Sequence, residues 1–298
     1  MKNIFKYLAV LIFLIAATSN GLYAKKTEIR LILKKGQQFE YLVSATQLAE
    51  NRAGDNPIEI EQKMELTIHQ IVLDKLRNGN YLLQADYKKF TMEVNSQGQN
   101  QKYDSNASDN PQFLNDLLKG LTKIQVKFEV SPLGVVSNLT GFEEYTKDIA
   151  LNARLFSMIK DFGTDKIISQ MFNYIPKTKV EQGDKWITSG ILPDLNNLKY
   201  DINFTMAEVS PENVKLDLQA KFKYVSDKPM VQNYREIKVE ETGVQKGNVV
   251  IDSKNCMPLS KVLNQKIDMV ITATDTKTKA KNVSQMKLTY KTMMKLVK

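Results

Sequence analysis

A long alternation of apolar and polar residues around an Asn-Gly turn most constrains how this chain can fold. Residues 64–72 place Met, Leu, Ile, Gln and Val at every second position, and residues 81–87 place Tyr, Leu, Ala and Tyr in the same way. Between them, Asn78-Gly79-Asn80 is a tight-turn sequence. Because a period of two is typical of strands with one buried face, the region predicts two long antiparallel strands.

The same alternation recurs on both sides of a helical region. Residues 140–176 instead show helical spacing, with a capping-box pair at Thr140 and Glu143 and a stop at Pro176. A shorter helix is predicted at 111–119, where Asn110 can cap the first turn. The expected fold class is therefore α+β, mainly antiparallel β in long hairpins with a central helical segment. Further predicted strands are 29–33, 39–43, 124–130, 202–206, 214–220, 234–241, 247–252, 259–275 and 282–296.

The order of features suggests two β lobes that repeat each other. Lys35-Gly36-Gln37-Gln38-Phe39 parallels Gln182-Gly183-Asp184-Lys185-Trp186. A duplication and a simple run of similar hairpins both explain this pattern. The expected organisation is a leader at 1–24, an N-terminal β lobe with one short helix at 25–139, a central helical segment at 140–176 and a C-terminal β lobe at 177–298.

The leader has the three parts of a secretory signal peptide. Lys2 and Lys6 form a positive start, residues 7–17 are an apolar core, and Ala24 is the expected cleavage point. An apolar run of this length is shorter than a membrane-spanning helix requires. We therefore expect an exported protein, periplasmic or secreted, that is soluble after cleavage.

The scarcity of reactive side chains limits the chemistry available. The 298 residues include one histidine, His69, and one cysteine, Cys256. A transition-metal site needs several His or Cys ligands, and a serine or cysteine triad needs a histidine beside a nucleophile. The sequence therefore predicts no catalytic residue, no metal site, no cofactor and no enzyme. A polar loop at 104–109 has oxygen-bearing residues but lacks the glycine and glutamate of a calcium loop.

Two short motifs carry a family resemblance. The segment Leu33–Tyr41 (LKKGQQFEY), together with Pro176, Val180, Gly183-Asp184 and Trp186, resembles an uncharacterised family of exported proteins of Gram-negative bacteria, a domain of unknown function. The resemblance covers nearly all of residues 27–296 and implies no activity or site residue. The long strands around a helical insert are also similar in pattern to periplasmic lipoprotein-carrier folds.

The central helices suggest a ligand site. Their aromatic and aliphatic residues fit an ordinary core, and a hydrophobic ligand cavity under a sheet is the second interpretation. We expect a non-enzymatic binding protein of the cell envelope that holds an apolar ligand or lipid between sheet and helices; a structural or protein-interaction module without a small ligand is the alternative. The candidate ligand-binding residues are Phe142, Tyr145, Phe156, Ile159, Met171 and Phe172.

The charge distribution suggests partners. The chain carries a formal net charge of +9, and residues 277–298 are rich in lysine. This basic C-terminus could contact an anionic surface such as lipid, or it could protect an edge strand from pairing. Nucleic acid is not an expected partner, because no recognition motif is present.

Overall fold

The computed structural model describes residues 26–52, 57–110, 120, 122–141, 164–192, 198–226, 230–232 and 234–298. Within these ranges, thirteen antiparallel strands form one sheet, and one helix, α1 (Thr164–Met171), is present. The strands are β1 (Gln38–Asn51), β2 (Ile58–Lys75), β3 (Tyr81–Ser96), β4 (Gln99–Asp104), β5 (Gln125–Val130), β6 (Val136–Thr140), β7 (Lys185–Leu192), β8 (Leu198–Val209), β9 (Asn213–Val225), β10 (Met230–Gln232), β11 (Arg235–Asp252), β12 (Pro258–Asp275) and β13 (Lys281–Leu296).

The expected α+β class is wrong, because the described chain is almost entirely antiparallel β. The sheet runs in the order β6-β5-β3-β2-β1-β13-β12-β11-β9-β8-β7, with β4 on β3 and β10 on β11. In the described part of the predicted central helical segment, only the eight residues of α1 are helical. The helices predicted at 111–119 and over 142–163 lie outside the described residues.

The two predicted β lobes are halves of this single sheet. β1 pairs with β13 through eleven residue pairs, from Tyr41 with Leu296 to Asn51 with Met286. The turns that resemble each other in sequence also share a backbone pattern. Gly36 N–H donates to the Val72 carbonyl and Gly183 N–H to the Met206 carbonyl, both at 2.8 Å. Both glycines have positive φ, 79° and 91°, which explains the need for glycine at each.

The sheet is strongly curled. Nine strand spacings separate β5 from β7, about 43 Å in a flat sheet. Yet Phe128 on β5 packs on Phe172 with ring centroids 6.4 Å apart, and Trp186 Nε1 on β7 donates to the Tyr174 carbonyl at 3.0 Å. Phe172 and Tyr174 are only two residues apart, about 7 Å along an extended chain. Both edges therefore bend toward the same short segment.

Two segments fill one end of the curled sheet, and we call them the plug: residues 29–33 and 164–180. The plug contacts the sheet beside the turns near residues 80, 132 and 255. Leu31 N–H donates to the Pro132 carbonyl, and Tyr81 Oη donates to the Leu31 carbonyl. Tyr174 Oη donates to the Cys256 carbonyl at 2.6 Å. We call this the plugged end; the far end is where β1, β9 and β12 finish.

Candidate functional site

The side chains of the inner face fall into rows that cross the sheet. Nearest the plug is a row of core residues, in which Val43, Met294 and Val249 are buried. Lys261 occupies this row as well, with only 7% of its surface exposed. Its Nζ donates to the Gln170 carbonyl at 2.6 Å and to Asn173 Oδ1 at 3.2 Å. Because α1 has no basic residue in its last turn, Lys261 supplies the positive charge that a helix C-terminus favours.

Buried polar atoms collect beneath α1. Burial lowers the pKa of Lys261 to about 8 and raises that of Tyr41. Tyr41 Oη and Gln70 Oε1 are buried without a hydrogen-bond partner, although Gln70 Nε2 lies 3.3 Å from Met171 Sδ. Lys261 and Gln70 thus hold α1 on the sheet through their contacts with Gln170 and Met171.

Farther along the strands, hydrogen-bonding side chains cross five adjacent strands in register. We call this line the polar row. Each member is the register partner of the next member on the adjacent strand. The residues at the two ends of the row, Gln245 and Gln62, are buried, with 6% and 7% of their surface exposed. The polar row consists of Gln245 on β11, Gln265 on β12, Tyr290 on β13, Gln47 on β1 and Gln62 on β2.

Aromatic side chains flank the polar row at one edge. Tyr200 Oη lies 3.4 Å from Gln245 Oε1, and burial raises the pKa of Tyr200 to about 12. The Tyr200 and Phe222 rings are tilted by 54° with centroids 5.6 Å apart. Phe222 covers Gly243 and Tyr200 covers Gly190, so that a Cβ atom at either glycine would enter the ring. Glycine at these positions lets the rings lie on the sheet.

A second apolar cluster lies between the polar row and the far end. We call it the far-end cluster; it is separate from the main core. Phe222, Ile267 and Leu288 are its buried members, and Ala49, Tyr200, Met269, Met286 and Tyr290 pack against them. Beside it on β2, Ile60 is the register partner of Ala49, and Ile60 and Ile58 are 39% and 41% exposed on the same face. The inner face thus changes from apolar to amide-rich and back to apolar along its strands.

Of the six candidate ligand-binding residues predicted from sequence, two lie among the described residues. Met171 and Phe172 are buried in the main core at the plugged end, next to Gln70 and Phe128. Phe142, Tyr145, Phe156 and Ile159 lie outside the described residues. The polar row and the far-end cluster were missed, although glutamine at positions that otherwise carry apolar residues was a visible signal at Gln47, Gln62 and Gln265.

Groups that could carry other chemistry are engaged in local contacts. His69 lies on the outer face of β2, with Nε2 3.2 Å from Gln38 Oε1 and Nδ1 3.8 Å from Asp86 Oδ2. Asp104 accepts a turn hydrogen bond from Asn106 and pairs with Lys89 at 3.3 Å. The described ranges contain no group of three or more His, Cys, Asp or Glu residues arranged to bind a metal ion. Cys256 is buried, and burial raises the pKa of its thiol.

An open depression of about 500 Å³ lies between β2, β3 and β4. Its charged walls neutralise each other, since Lys102 pairs with Glu93 at 3.5 Å. Asn100 also donates to Glu93, and that hydrogen bond lowers the pKa of the carboxyl. In the part of the chain that the structure describes, no helix is long and apolar enough to cross a membrane.

Comparisons with known proteins give a family and a fold. A model described as a family of unknown function (DUF6263) matches residues 78–258. No curated protein matches the sequence. A solved structure titled "Lipid-protein interactions in lipovitellin" is similar, with a TM-score of 0.52 and 11% identity; the match covers 90% of this chain and 26% of that one. At this identity the likeness shows the fold alone, and this chain spans about a quarter of the lipovitellin chain's length.

Proposed function

The chain belongs to a family of unknown function, DUF6263, and from that premise we propose that it is a non-enzymatic protein that binds an apolar or amphipathic molecule of lipid type. The proposed site is the inner face between the polar row and the far end of the sheet. The proposal includes export, based on the signal-peptide pattern of residues 1–24.

The layered inner face is the observation that carries the proposal. The plug fills one end of the curled sheet with the chain's own side chains, and its contacts with the sheet lie beside the turns of that end. The other half of the inner face has an apolar lining that is separate from that core. Ligand sites are typically apolar surfaces with a few convergent polar groups, and the amides of the polar row are such groups.

The polar row also indicates the chemistry of the ligand. Amide and phenol groups donate and accept hydrogen bonds without charge, so they suit a hydroxyl, ester or amide better than a free phosphate. Tyr200 adds a further hydroxyl beside Gln245. A molecule with a neutral polar group against the polar row and apolar chains toward Ile267 and Leu288 would satisfy both surfaces. The lipovitellin likeness is weaker support, since that structure's title concerns lipid–protein interactions.

The first experiment is native mass spectrometry of the protein purified from its own compartment, with lipid extraction of the same sample. We expect a reproducible added mass that corresponds to a lipid recovered in the extract. A clean mass without cargo, and no uptake of added lipids, would overturn the proposal. It would leave a protein-interaction module with a filled interior as the function.

A pair of neighbouring substitutions tests the location of the site. Ala49 packs against the far-end cluster on the inner face, whereas Leu48, the preceding residue of β1, lies on the outer face. Ala49→Trp fills the proposed site, and we expect at least a tenfold weaker affinity for the neutral fluorescent probe N-phenyl-1-naphthylamine. Leu48→Trp is the matched control and should bind as the wild type does. Equal binding by both variants would place the ligand elsewhere.

A further inference from the structure

The outer face of β9, β11, β12 and β13 has an unusual charge pattern. Five consecutive outward positions on each of these four strands form a continuous grid through the ladder. The grid contains eight lysines, no arginine and two acids, Asp217 and Asp268. The lysines are Lys215, Lys221, Lys223, Lys246, Lys266, Lys287, Lys291 and Lys295. We call this grid the basic face.

Within the described residues, the lysines of the basic face form no close ion pair. Seven of them are exposed and Lys215 is half-buried. Among the described ion pairs, none joins one of these eight ammonium groups to a carboxylate. Strands two apart are about 10 Å from each other, which is close to the screening length at physiological salt. The potentials of neighbouring lysines therefore overlap from strand to strand.

The two strands beside the basic face, β1 and β2, carry the opposite charge on their outer side. The outward positions of β1 and β2 carry five glutamates, Glu40, Glu50, Glu59, Glu61 and Glu65, and one lysine, Lys63. The outer face is consequently basic over β9, β11, β12 and β13 and acidic over the adjoining β1 and β2. A uniformly anionic surface would attract the first region, repel the second, and orient the molecule.

Apolar side chains stand among the lysines. Val244 lies between Lys221 and Lys266 in the ladder, and 41% of its surface is exposed. Met293 lies between Lys291 and Lys295 along β13 and is also 41% exposed. Lysine ammonium groups above isolated apolar side chains are typical of protein surfaces that rest on lipid headgroups.

We propose that the basic face docks the protein on the surface of an anionic lipid bilayer. We expect a bilayer rather than an acidic protein as the partner, because the face is broad and lacks arginine, whose guanidinium group binds carboxylates through two hydrogen bonds at once. The docked area spans four strands, about 14 Å, and nine residues along β9, about 30 Å. This inference does not depend on ligand binding at the inner face, and either proposal can fail alone.

The test is sedimentation of the full chain with vesicles. Phosphatidylcholine vesicles and vesicles that also contain phosphatidylglycerol are compared at about 0.05 M and about 0.5 M salt. We expect binding to the anionic vesicles at low salt and its loss at high salt. Each lysine near such a surface contributes about a fivefold gain in affinity, about 1 kcal/mol. Replacing Lys221, Lys246, Lys266 and Lys291 with glutamine should therefore weaken binding by at least about a hundredfold.

A variant with the same change in net charge provides the control. Glutamine replaces Lys63, Lys88, Lys102 and Lys127, which lie on the other half of the sheet. We expect this variant to bind within about threefold of the wild type if location matters more than total charge. Both variants are exposed-site changes, and unfolding midpoints check that they fold.

Three outcomes would overturn the proposal. They are equal binding to both kinds of vesicle, equal losses in the two variants, and binding to soluble polyglutamate without binding to vesicles. The last outcome would identify an acidic polypeptide as the partner of the basic face.

Discussion

The ammonium group of Lys261 on β12 donates a hydrogen bond of 2.6 Å to the carbonyl oxygen of Gln170 in the last turn of α1. The two residues are 91 positions apart in the sequence, and the contact joins the plug to the middle of the sheet. The cost of burying this charge is visible in the pKa of Lys261, which burial lowers to about 8.

Stability should rise with pH above 8 because of Lys261. The folded protein holds this proton less tightly than the unfolded chain, whose lysine pKa is 10.5. The unfolded state therefore binds more protons between pH 8 and pH 10, and the free energy of unfolding should increase by about 2 kcal/mol over that window. Urea unfolding at several pH values measures this. Lys261→Met should remove that increase; the same slope in the variant would contradict the assignment.

Tyr174→Phe should lower the free energy of unfolding at neutral pH and change how steeply it falls above pH 10. The substitution deletes the 2.6 Å hydrogen bond to the Cys256 carbonyl, and we expect a loss of about 1–2 kcal/mol at neutral pH. Burial raises the pKa of Tyr174, so its phenol stays neutral in the fold and ionises in the unfolded chain above pH 10. Stability contributed by this group is present below pH 10 and lost above it.

Denaturant titrations from pH 9 to pH 11 check the second part. The variant should lose stability less steeply above pH 10, by up to about 1.4 kcal/mol per pH unit, because one tyrosine no longer titrates. Phenolate absorbance should report the ionisation of the remaining tyrosines on unfolding. Parallel curves for the variant and the wild type would show that Tyr174 ionises in the folded state.

Gly243→Ala should destabilise the far-end cluster, because its Cβ atom would enter the Phe222 ring. We expect a loss of about 1–3 kcal/mol from overpacking. A double-mutant cycle with Phe222→Ala should show a favourable coupling, since the smaller side chain makes room for the methyl group. The exposed neighbour Thr242→Ala is the control. Additive effects in the cycle would mean that the ring does not rest on Gly243.

Trp186→Phe should loosen one edge of the sheet. The variant loses the 3.0 Å hydrogen bond to the Tyr174 carbonyl, at a cost of about 1 kcal/mol. Phe204, which stacks on the indole at 5.7 Å, keeps an aromatic partner. Amide hydrogen exchange should accelerate in β7 and β8 and change little in β1 and β2. A uniform acceleration would show that the contact stabilises the whole sheet rather than its edge.

Local patterns in the sequence predicted most strands but not the fold class. The alternation in 64–72 and 81–87 and the turn at Gly79 are features that neighbouring residues determine, and β2 and β3 confirm them. The fold class was predicted wrongly because it rested on the helices predicted over 140–176. Of its described part, only Thr164–Met171 is helical, and residues 172–176 cross the plug without helical structure.

The pairing of β1 with β13 and the curl of the sheet were not predictable from such patterns. Register between segments about 250 residues apart depends on the fit of whole faces, which no local window contains. The polar row shows the same limit. Each of Gln47, Gln265 and Gln245 is a visible exception in its own strand, but they form a line only when β1, β13, β12 and β11 are aligned.

The pairing of β1 with β13 also determines the order in which the molecule can be completed. β1 is the first and β13 the last of the described strands, and together they join the two halves of the sheet. While a ribosome still holds residues 281–296, β1 lacks its second neighbour and the two halves have no shared ladder. The two halves of the sheet therefore cannot join through this ladder before residues 281–296 are free, and until then the inward apolar side chains of β1 lack half of their cross-strand neighbours.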